Sequence, residues 1–193
     1  MQFTYAKGAT PLSPDEAYNL IPNHLTTQKE LNEWEQFNIV KGENWALGRK
    51  RKDMLTIYFA KKLHKKMFDE TWLWAGVFRK SQTNIGVESI YIPQELKLLF
   101  DDARFWIENN SYSIREIAVR LHHRLVFIHP FPNGNGRFSR LFADLIMYYQ
   151  DNPRFTWGST NLVDDSQIRQ KYLATLQEAD KGEYGNLIKF ADS

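Results

Sequence analysis

The residues best able to do chemistry lie in one short stretch, HPFPNGNGR, at positions 129–137. It contains four consecutive residues of types that tolerate positive φ: Asn133, Gly134, Asn135 and Gly136. Their amide hydrogens can therefore point inward together and bind an anion. A helix that begins near Arg137 adds unpaired amides and the positive end of its dipole. The stretch predicts a phosphate-binding loop.

Two arginines strengthen this prediction. Arg137 and Arg140 are three residues apart in the first helical turn and so share a face. A cation there opposes the helix dipole, whereas a bound phosphate would be held by both guanidinium groups. The alternative is that both arginines pair with nearby acids and the turn is only a tight connection between helices.

A histidine precedes the loop. His129 beside a bound phosphate would be a plausible general base for a hydroxyl proton, although a histidine that ends a helix and bonds to a carbonyl is an equally good reading. The other four histidines have neither metal-ligand spacing nor a cysteine companion. We expect them to be structural: His24, His64, His122 and His123.

The composition narrows the class of protein. The chain has 193 residues, 42% of them hydrophobic, and a net charge of +2, which predicts one folded domain and gives no strong signal for a nucleic-acid partner. It has no cysteine, no signal-peptide pattern and no apolar run long enough to span a membrane. We expect a cytoplasmic protein with no membrane association.

The first half of the chain predicts an arm, two helices and a small β element. Residues 1–24 are rich in turn formers, and a capping box of Thr27 and Glu30 opens a helix with Leu31, Trp34 and Phe37 inward. A second helix is predicted over about 53–68. The pattern of apolar residues in 77–92 predicts short strands or a hairpin.

The second half predicts helices only. They cover 94–108, 114–128 after a capping box of Ser113 and Glu116, 138–149, and about 166–179. Pro130 ends the second of these helices at His129. The predicted class is mainly α, a compact helical bundle with one small β-hairpin.

The stretch HPFPNGNGRFSR closely resembles the signature of the Fic family, HPFx(D/E)GNGRxxR. Eight residues match at fixed spacing: His129, Pro130, Phe131, Gly134, Asn135, Gly136, Arg137 and Arg140. LWAGVFR and the hairpin after it look like the Fic flap, and LHHRLVFIHPF looks like the helix before the motif. The segment TTQKELNEWEQ resembles the bacterial subgroup called mobile mystery protein B. The resemblance implies one Fic-like domain over 1–193, with an N-terminal arm and helix (1–50), a core (51–190), a flap (about 77–92) and an active-site loop (129–140).

The resemblance also implies an activity, the transfer of AMP from ATP to a hydroxyl side chain of a target protein. His129 would be the general base and Phe131 the loop anchor. Five residues would hold the nucleotide phosphates: Gly134, Asn135, Gly136, Arg137 and Arg140. The flap would align the target as an added strand, with docking residues Thr83, Asn84, Ile85 and Gly86.

One position departs from the signature. Asn133 stands where the family has the acid that helps to hold Mg²⁺, and an amide oxygen offers coordination without charge. Weaker metal binding, another donor, or lost transferase activity all stay open. An adenylyltransferase, a nucleotide- or phosphopeptide-binding module that has lost catalysis, and a transferase of another phosphate-linked group are therefore separate hypotheses.

The family's inhibitory motif, (S/T)xxxE(G/N), is incomplete in this sequence. Glu30 has Thr26 four residues before it but is followed by Leu31. Glu30 is already accounted for by the capping box, so an inhibitory contact with Arg140 is disfavoured. If activity is restrained, an antitoxin-like partner is the expected agent.

Overall fold

The architecture is helical, which confirms the predicted class. The computed structural model describes residues 18–25, 27–159 and 167–193. Within these residues the chain forms seven α-helices, and its only β pairing is an isolated bridge between Leu20 and Trp72. The helices are α1 (Gln28–Leu47), α2 (Ile57–Phe68), α3 (Ile92–Glu108), α4 (Ile114–Ile128), α5 (Asn135–Tyr149), α6 (Gln167–Ala179) and α7 (Gly185–Ala191).

Hydroxyl side chains set where three of the helices begin. The predicted capping box opens α1: the Thr27 hydroxyl accepts the Glu30 amide at 3.2 Å, and the Glu30 carboxylate accepts the Thr27 amide at 2.9 Å. Thr56 caps α2, which therefore starts later than predicted. Ser113 caps α4 as expected, although the Glu116 carboxylate pairs with Arg120.

The buried face of α1 differs from the predicted one. Phe37 is 72% exposed, whereas Leu31 and two polar residues, Glu35 and Asn38, are buried on one face. An added Cβ at Gly42 would lie 2.8 Å from the α2 backbone. Close approach of α1 to α2 thus selects the face that carries the glycine, and this turns Phe37 outward.

The core joins the helices that support the motif. Phe142 of α5 packs edge-on against Phe59 of α2, with ring centroids 5.8 Å apart, and stacks on Phe100 of α3 at 5.5 Å. Phe138, one turn earlier on α5, packs against Phe131 at 5.1 Å. The start of α5 is therefore held by the same aromatic cluster that holds the fold together.

The predicted β-hairpin over 77–92 is wrong. No strand is present in this segment, hereafter the flap segment, and its only regular element is a 3₁₀ turn at Ser89–Tyr91. The Arg79 guanidinium donates to the carbonyls of Ser81 and Val87, and the Arg79 amide donates to the Pro130 carbonyl at 3.0 Å. A side chain thus bonds to the carbonyls that cross-strand amides would otherwise have used.

The C-terminal part contains one helix that the sequence analysis missed. The predicted start at Ser166 lies outside the described residues, as do Thr26 and most of the predicted arm, and α6 is described from Gln167. Helix α7 has only seven residues, too few to show a helical period, yet it buries Leu187, Phe190 and Ala191. In the described ranges, none of the helices has the length and apolar character that a bilayer span requires.

Candidate functional site

The motif forms the connection between α4 and α5. His129 ends α4 in the left-handed region, at φ 52°, and its amide donates to the Leu125 carbonyl at 3.1 Å. Pro130 follows and prevents the helix from continuing. The catalytic histidine proposed from the sequence therefore lies at a sharp, conformationally restricted corner.

The Asn135 side chain fixes the shape of this loop. Its Oδ1 accepts the Phe131 amide at 2.9 Å and its Nδ2 donates to the Phe131 carbonyl at 2.7 Å. Asn135 is buried, so its amide group closes the loop rather than facing a ligand. The Phe131 ring is fully buried and stacks on His64, with ring centroids 3.7 Å apart.

The anion site differs from the predicted four-residue nest. Of the four residues, Gly134 alone has positive φ, at 76°, and its amide donates to the Asn133 side chain at 2.6 Å. Asn135 and Gly136 are already helical, and no side chain caps α5. The first-turn amides have no carbonyl partner within a helix, so they are the backbone donors available to an anion.

The two arginines have different surroundings. Arg137 pairs with Glu35 at 2.6 Å and lies over the Phe68 ring. Glu35 is buried and also accepts the Trp72 indole N–H at 2.7 Å. For Arg137, the alternative of pairing with an acid is what the structure shows. The sequence signal for Glu35 was its place one turn after Leu31, on the same face of α1.

Arg140 has no acidic partner among the residues that the structure describes. Over the described part of the chain, no carboxylate lies within 4.0 Å of its guanidinium, and this includes the carboxylate of Glu30. Burial lowers the pKa of Arg140, while Tyr172 and Asp144 nearby favour its charged form. The Tyr172 hydroxyl in turn bonds to His122 Nε2 at 3.0 Å. A partly buried cation without a paired acid favours binding of an anion.

His129 is held as a neutral imidazole. Only 7% of the residue is exposed, and burial lowers its pKa to about 4, with the nearby Arg79 charge acting in the same direction. Its Nδ1 faces the Val126 carbonyl at 3.4 Å. This contact favours the proton on Nδ1, which leaves the lone pair on Nε2. That is the tautomer a general base requires.

The other histidines are in structural positions. His64 Nε2 bonds to the Asn133 carbonyl at 3.1 Å, and its Nδ1 accepts the Gly76 amide at 3.0 Å. His123 bonds to Asp180 at 2.8 Å, and His24 packs edge-on against Trp34. Among the described residues, no group of three or more histidine, aspartate or glutamate side chains could hold a metal.

One of the proposed docking residues of the flap segment, Gly86, lies next to His129. An ideal Cβ at Gly86 would be 2.8 Å from His129 Cβ. The Thr83 hydroxyl donates to the Ile85 carbonyl, Asn84 is exposed, and Ile85 is 42% exposed. The structure thus brings the flap segment to His129 without forming a strand.

The loop does not fit a magnesium site of its own. Asn133 contributes the only side-chain oxygen at the signature's acid position, and that oxygen already accepts the Gly134 amide. Mg²⁺ in proteins is usually held by one or two carboxylates together with substrate phosphates. These residues therefore supply no anionic ligand, and no catalytic step is assigned to a metal.

The chain combines a helical fold with a glycine-rich loop that connects His129 to the N-terminus of α5. This combination defines the class of protein to which it belongs. Residues 54–147 match the Fic/DOC family, and the chain belongs to this family. The protein adenylyltransferase Fic of Aedes aegypti is 26% identical over 144 residues, which are 72% of this chain and 28% of that protein. The chain thus spans little more than a quarter of that relative.

Solved structures show the same fold. Fic-1 (aa134–508) from C. elegans aligns with a TM-score of 0.64 and 25% identity, over 92% of this chain and 51% of that one. The BepC protein of Bartonella tribocorum, solved with bound AMPPNP, aligns with a TM-score of 0.69 and 18% identity, over 97% of this chain and 93% of that one.

Proposed function

We propose that the chain transfers AMP from ATP to a hydroxyl side chain of a target protein. The observation that carries the proposal is the neutral, buried His129 at one end of a loop whose other end is the uncapped start of α5. His129 Nε2 would take the hydroxyl proton as the oxygen attacks the α-phosphorus. Pyrophosphate would leave with its charge held by the α5 amides and Arg140.

The comparisons support this activity at the level of the family. Curated relatives are named protein adenylyltransferases, and the BepC structure contains an ATP analogue. The first-turn amides of α5 and Arg140 are the groups of the loop proposed to bind the phosphates. The anion site would contact the phosphates of the donor and not the group attached to them. ATP is therefore proposed as the donor on the basis of these relatives and not of the loop.

We place target docking on the flap segment, at Thr83, Asn84, Ile85 and Gly86. The closeness of Gly86 to His129 would bring a hydroxyl of the docked target near the base. The target itself and any antitoxin-like partner stay proposals, as does the treatment of residues 1–193 as one Fic-like unit. The cytoplasm is the proposed compartment, in keeping with the absence of cysteine.

The test is transfer from ATP labelled in two positions. Incubation with candidate target proteins should transfer the label of α-labelled ATP and not that of γ-labelled ATP, and mass spectrometry should show the added mass of one AMP group on Tyr, Thr or Ser. Transfer of the γ label, or a different added mass, would replace adenylylation by another phosphate-linked transfer.

Substitution of Arg140 tests the anion site separately from transfer. Arg140→Gln is expected to weaken ATP binding roughly 10- to 100-fold, because it removes charge-assisted hydrogen bonds to phosphate. Isothermal titration calorimetry measures this directly. Arg104→Gln, at an exposed arginine that pairs with Asp101 on α3, is the matched control and should keep the affinity of the unaltered chain. Unchanged ATP affinity in Arg140→Gln would refute the site.

A nucleotide-binding module without catalysis is the second candidate, and Asn133 is the observation that favours it. In that case ATP binds with Arg140-dependent affinity and neither label is transferred to protein. Detectable turnover by the unaltered chain would exclude it.

Introducing the signature's acid tests whether residue 133 faces the metal ion of an ATP complex. Asn133→Asp keeps an acceptor for the Gly134 amide and adds a charge, so the apparent Mg²⁺ affinity of the ATP complex should rise roughly tenfold. Titration of Mg²⁺ at fixed ATP measures the change. Asn110→Asp adds the same charge at an exposed positive-φ position away from the loop and should have no effect. Equal Mg²⁺ affinity in Asn133→Asp and the unaltered chain would show that residue 133 does not face the metal.

A further inference from the structure

Arg79 belongs to the flap segment, and its guanidinium lies against the backbone of the base. Only 3% of the residue is exposed. Its Nε donates to the His129 carbonyl at 2.6 Å and its Nη2 to the Ile128 carbonyl at 3.3 Å. On the flap side, Nη1 donates to the Ser81 carbonyl at 3.0 Å and Nη2 to the Val87 carbonyl. One guanidinium thus bonds to carbonyls of two separate segments.

The charge of Arg79 is compensated by the backbone. Where the structure is described, no carboxylate lies within 4.0 Å of this guanidinium, and burial lowers its pKa. The Ile128 and His129 carbonyls are at the C-terminus of α4, where the helix dipole is negative and carbonyls have no helical partner. When a buried cation bonds only to carbonyls, its free energy depends on the exact position of each carbonyl oxygen.

Gly86 allows the two segments to come this close. It adopts φ 112°, a region that side chains rarely occupy. An added Cβ would lie 2.6 Å from Arg79 Nη2 and 2.8 Å from His129 Cβ. Any larger residue at 86 would therefore push the flap segment away from both Arg79 and the base.

We propose that Arg79 is a positioning residue that couples the flap segment to His129, so that the proposed target-docking backbone and the base keep one relative placement. The placement itself is independent of the reaction, and its value for transfer rests on the proposed function. Arg79 does not touch the reacting atoms. It acts through the carbonyls of Val87 and His129, because its single planar guanidinium donates hydrogen bonds to both.

An arginine that merely stabilised the fold would have a different signature. Its loss would weaken the fold as a whole, whereas loss of a coupling group releases the flap segment and the loop together and leaves distant helices protected. Lysine retains the charge but cannot reach carbonyls on both segments with one planar fork. Arg79→Lys is therefore the informative substitution.

Hydrogen exchange measured by mass spectrometry on the full chain tests the coupling. In Arg79→Lys, peptides covering 81–87 and 126–137 should both exchange about tenfold faster, while peptides of α2 and α7 are unchanged. Arg104→Lys is the control, because Arg104 also donates to a carbonyl, that of Leu55. It should leave both segments unchanged. Acceleration of only one segment, or of neither, overturns the proposal.

A second variant keeps Arg79 and approaches the contact from the other side. Gly86→Ala should accelerate exchange in the same two segments, and it decides the question even if Arg79→Lys does not fold. Exchange that is faster in 81–87 alone would show that the two segments are not coupled.

The imidazole of His129 provides a readout that a general loss of stability would not move. In ¹³C-histidine NMR, His129 should titrate at a higher pH in Arg79→Gln, which lacks the charge, than in Arg79→Lys, which keeps it. Identical titration in the two variants overturns the placement of Arg79 beside the base. Both readouts are taken without a target protein, so failure of the labelled-ATP test leaves them interpretable.

Discussion

Replacement of His129 by alanine is expected to lower the rate of AMP transfer by about 10²- to 10⁴-fold, the range typical of a lost general base. ATP affinity should change little, because the proposed hydrogen-bond donors to the phosphates are the α5 amides and Arg140. A large loss of rate with retained binding is the signature of a group that acts in the transition state. His129 has this role only if it is neutral when the target hydroxyl arrives.

The structure supplies that neutral form at ordinary pH. Burial lowers the pKa of His129 to about 4, so the imidazole is unprotonated at pH 7. The acidic limb of kcat/KM reports the free protein and should therefore lie near that pH. Bound phosphates favour the protonated imidazole, so the acidic limb of kcat should lie at a higher pH.

Label transfer from α-labelled ATP measures the effect of His129→Ala, and calorimetry shows that ATP still binds. His24→Ala is the matched control, because it removes an exposed histidine that packs on Trp34, and it should transfer label at the rate of the unaltered chain. Equal labelling by His129→Ala and the unaltered chain would remove His129 from the mechanism.

The sequence predicted well those parts of the site that depend on local chemistry. A turn of asparagine and glycine that follows Pro130 and precedes a helix is determined by backbone preferences of adjacent residues. Helix starts at Thr27 and Ser113 are local for the same reason. The detailed roles within the loop were less predictable, because Asn135 bonds to the Phe131 backbone and only Gly134 needs positive φ.

What the sequence could not predict depends on contacts between distant segments. Arg79 and Glu35 are 50 and 102 residues from their partners His129 and Arg137. No periodicity reveals that a guanidinium will bond across the flap segment in place of a β ladder. A glutamate on the inward face of α1 could have been noticed, but its arginine partner depends on how α1 packs beside α5.

Acidification is expected to destabilise the protein well before ordinary carboxylates titrate. Burial lowers the pKa of His64 and His122 to about 3 and that of His129 to about 4, against 6.5 for an ordinary histidine. Near pH 5 the unfolded chain therefore binds about three more protons at these residues. Burial raises the pKa of Asp144 from 3.8 to about 6, so the native state binds one more proton there.

The net difference of two protons sets the slope of stability against pH. The histidines lower the stability as pH falls below 6.5, and Asp144 partly offsets this from pH 6 downward. The free energy of unfolding should thus fall by about 3 kcal/mol per pH unit near pH 5. Typical domains have about 5–15 kcal/mol in total, so a drop of one to two pH units removes much of it.

Urea unfolding from pH 7 to pH 4.5, followed by tryptophan fluorescence, measures this slope. His122→Gln tests its origin, since glutamine can still accept the Tyr172 hydroxyl but binds no proton in this range. The variant should lose about half of the slope, because one of the two net protons is gone. An unchanged slope would mean that His122 is not buried as a neutral imidazole. The hydrogen bond between His122 and Tyr172, which holds Tyr172 beside Arg140, would then be wrong as well.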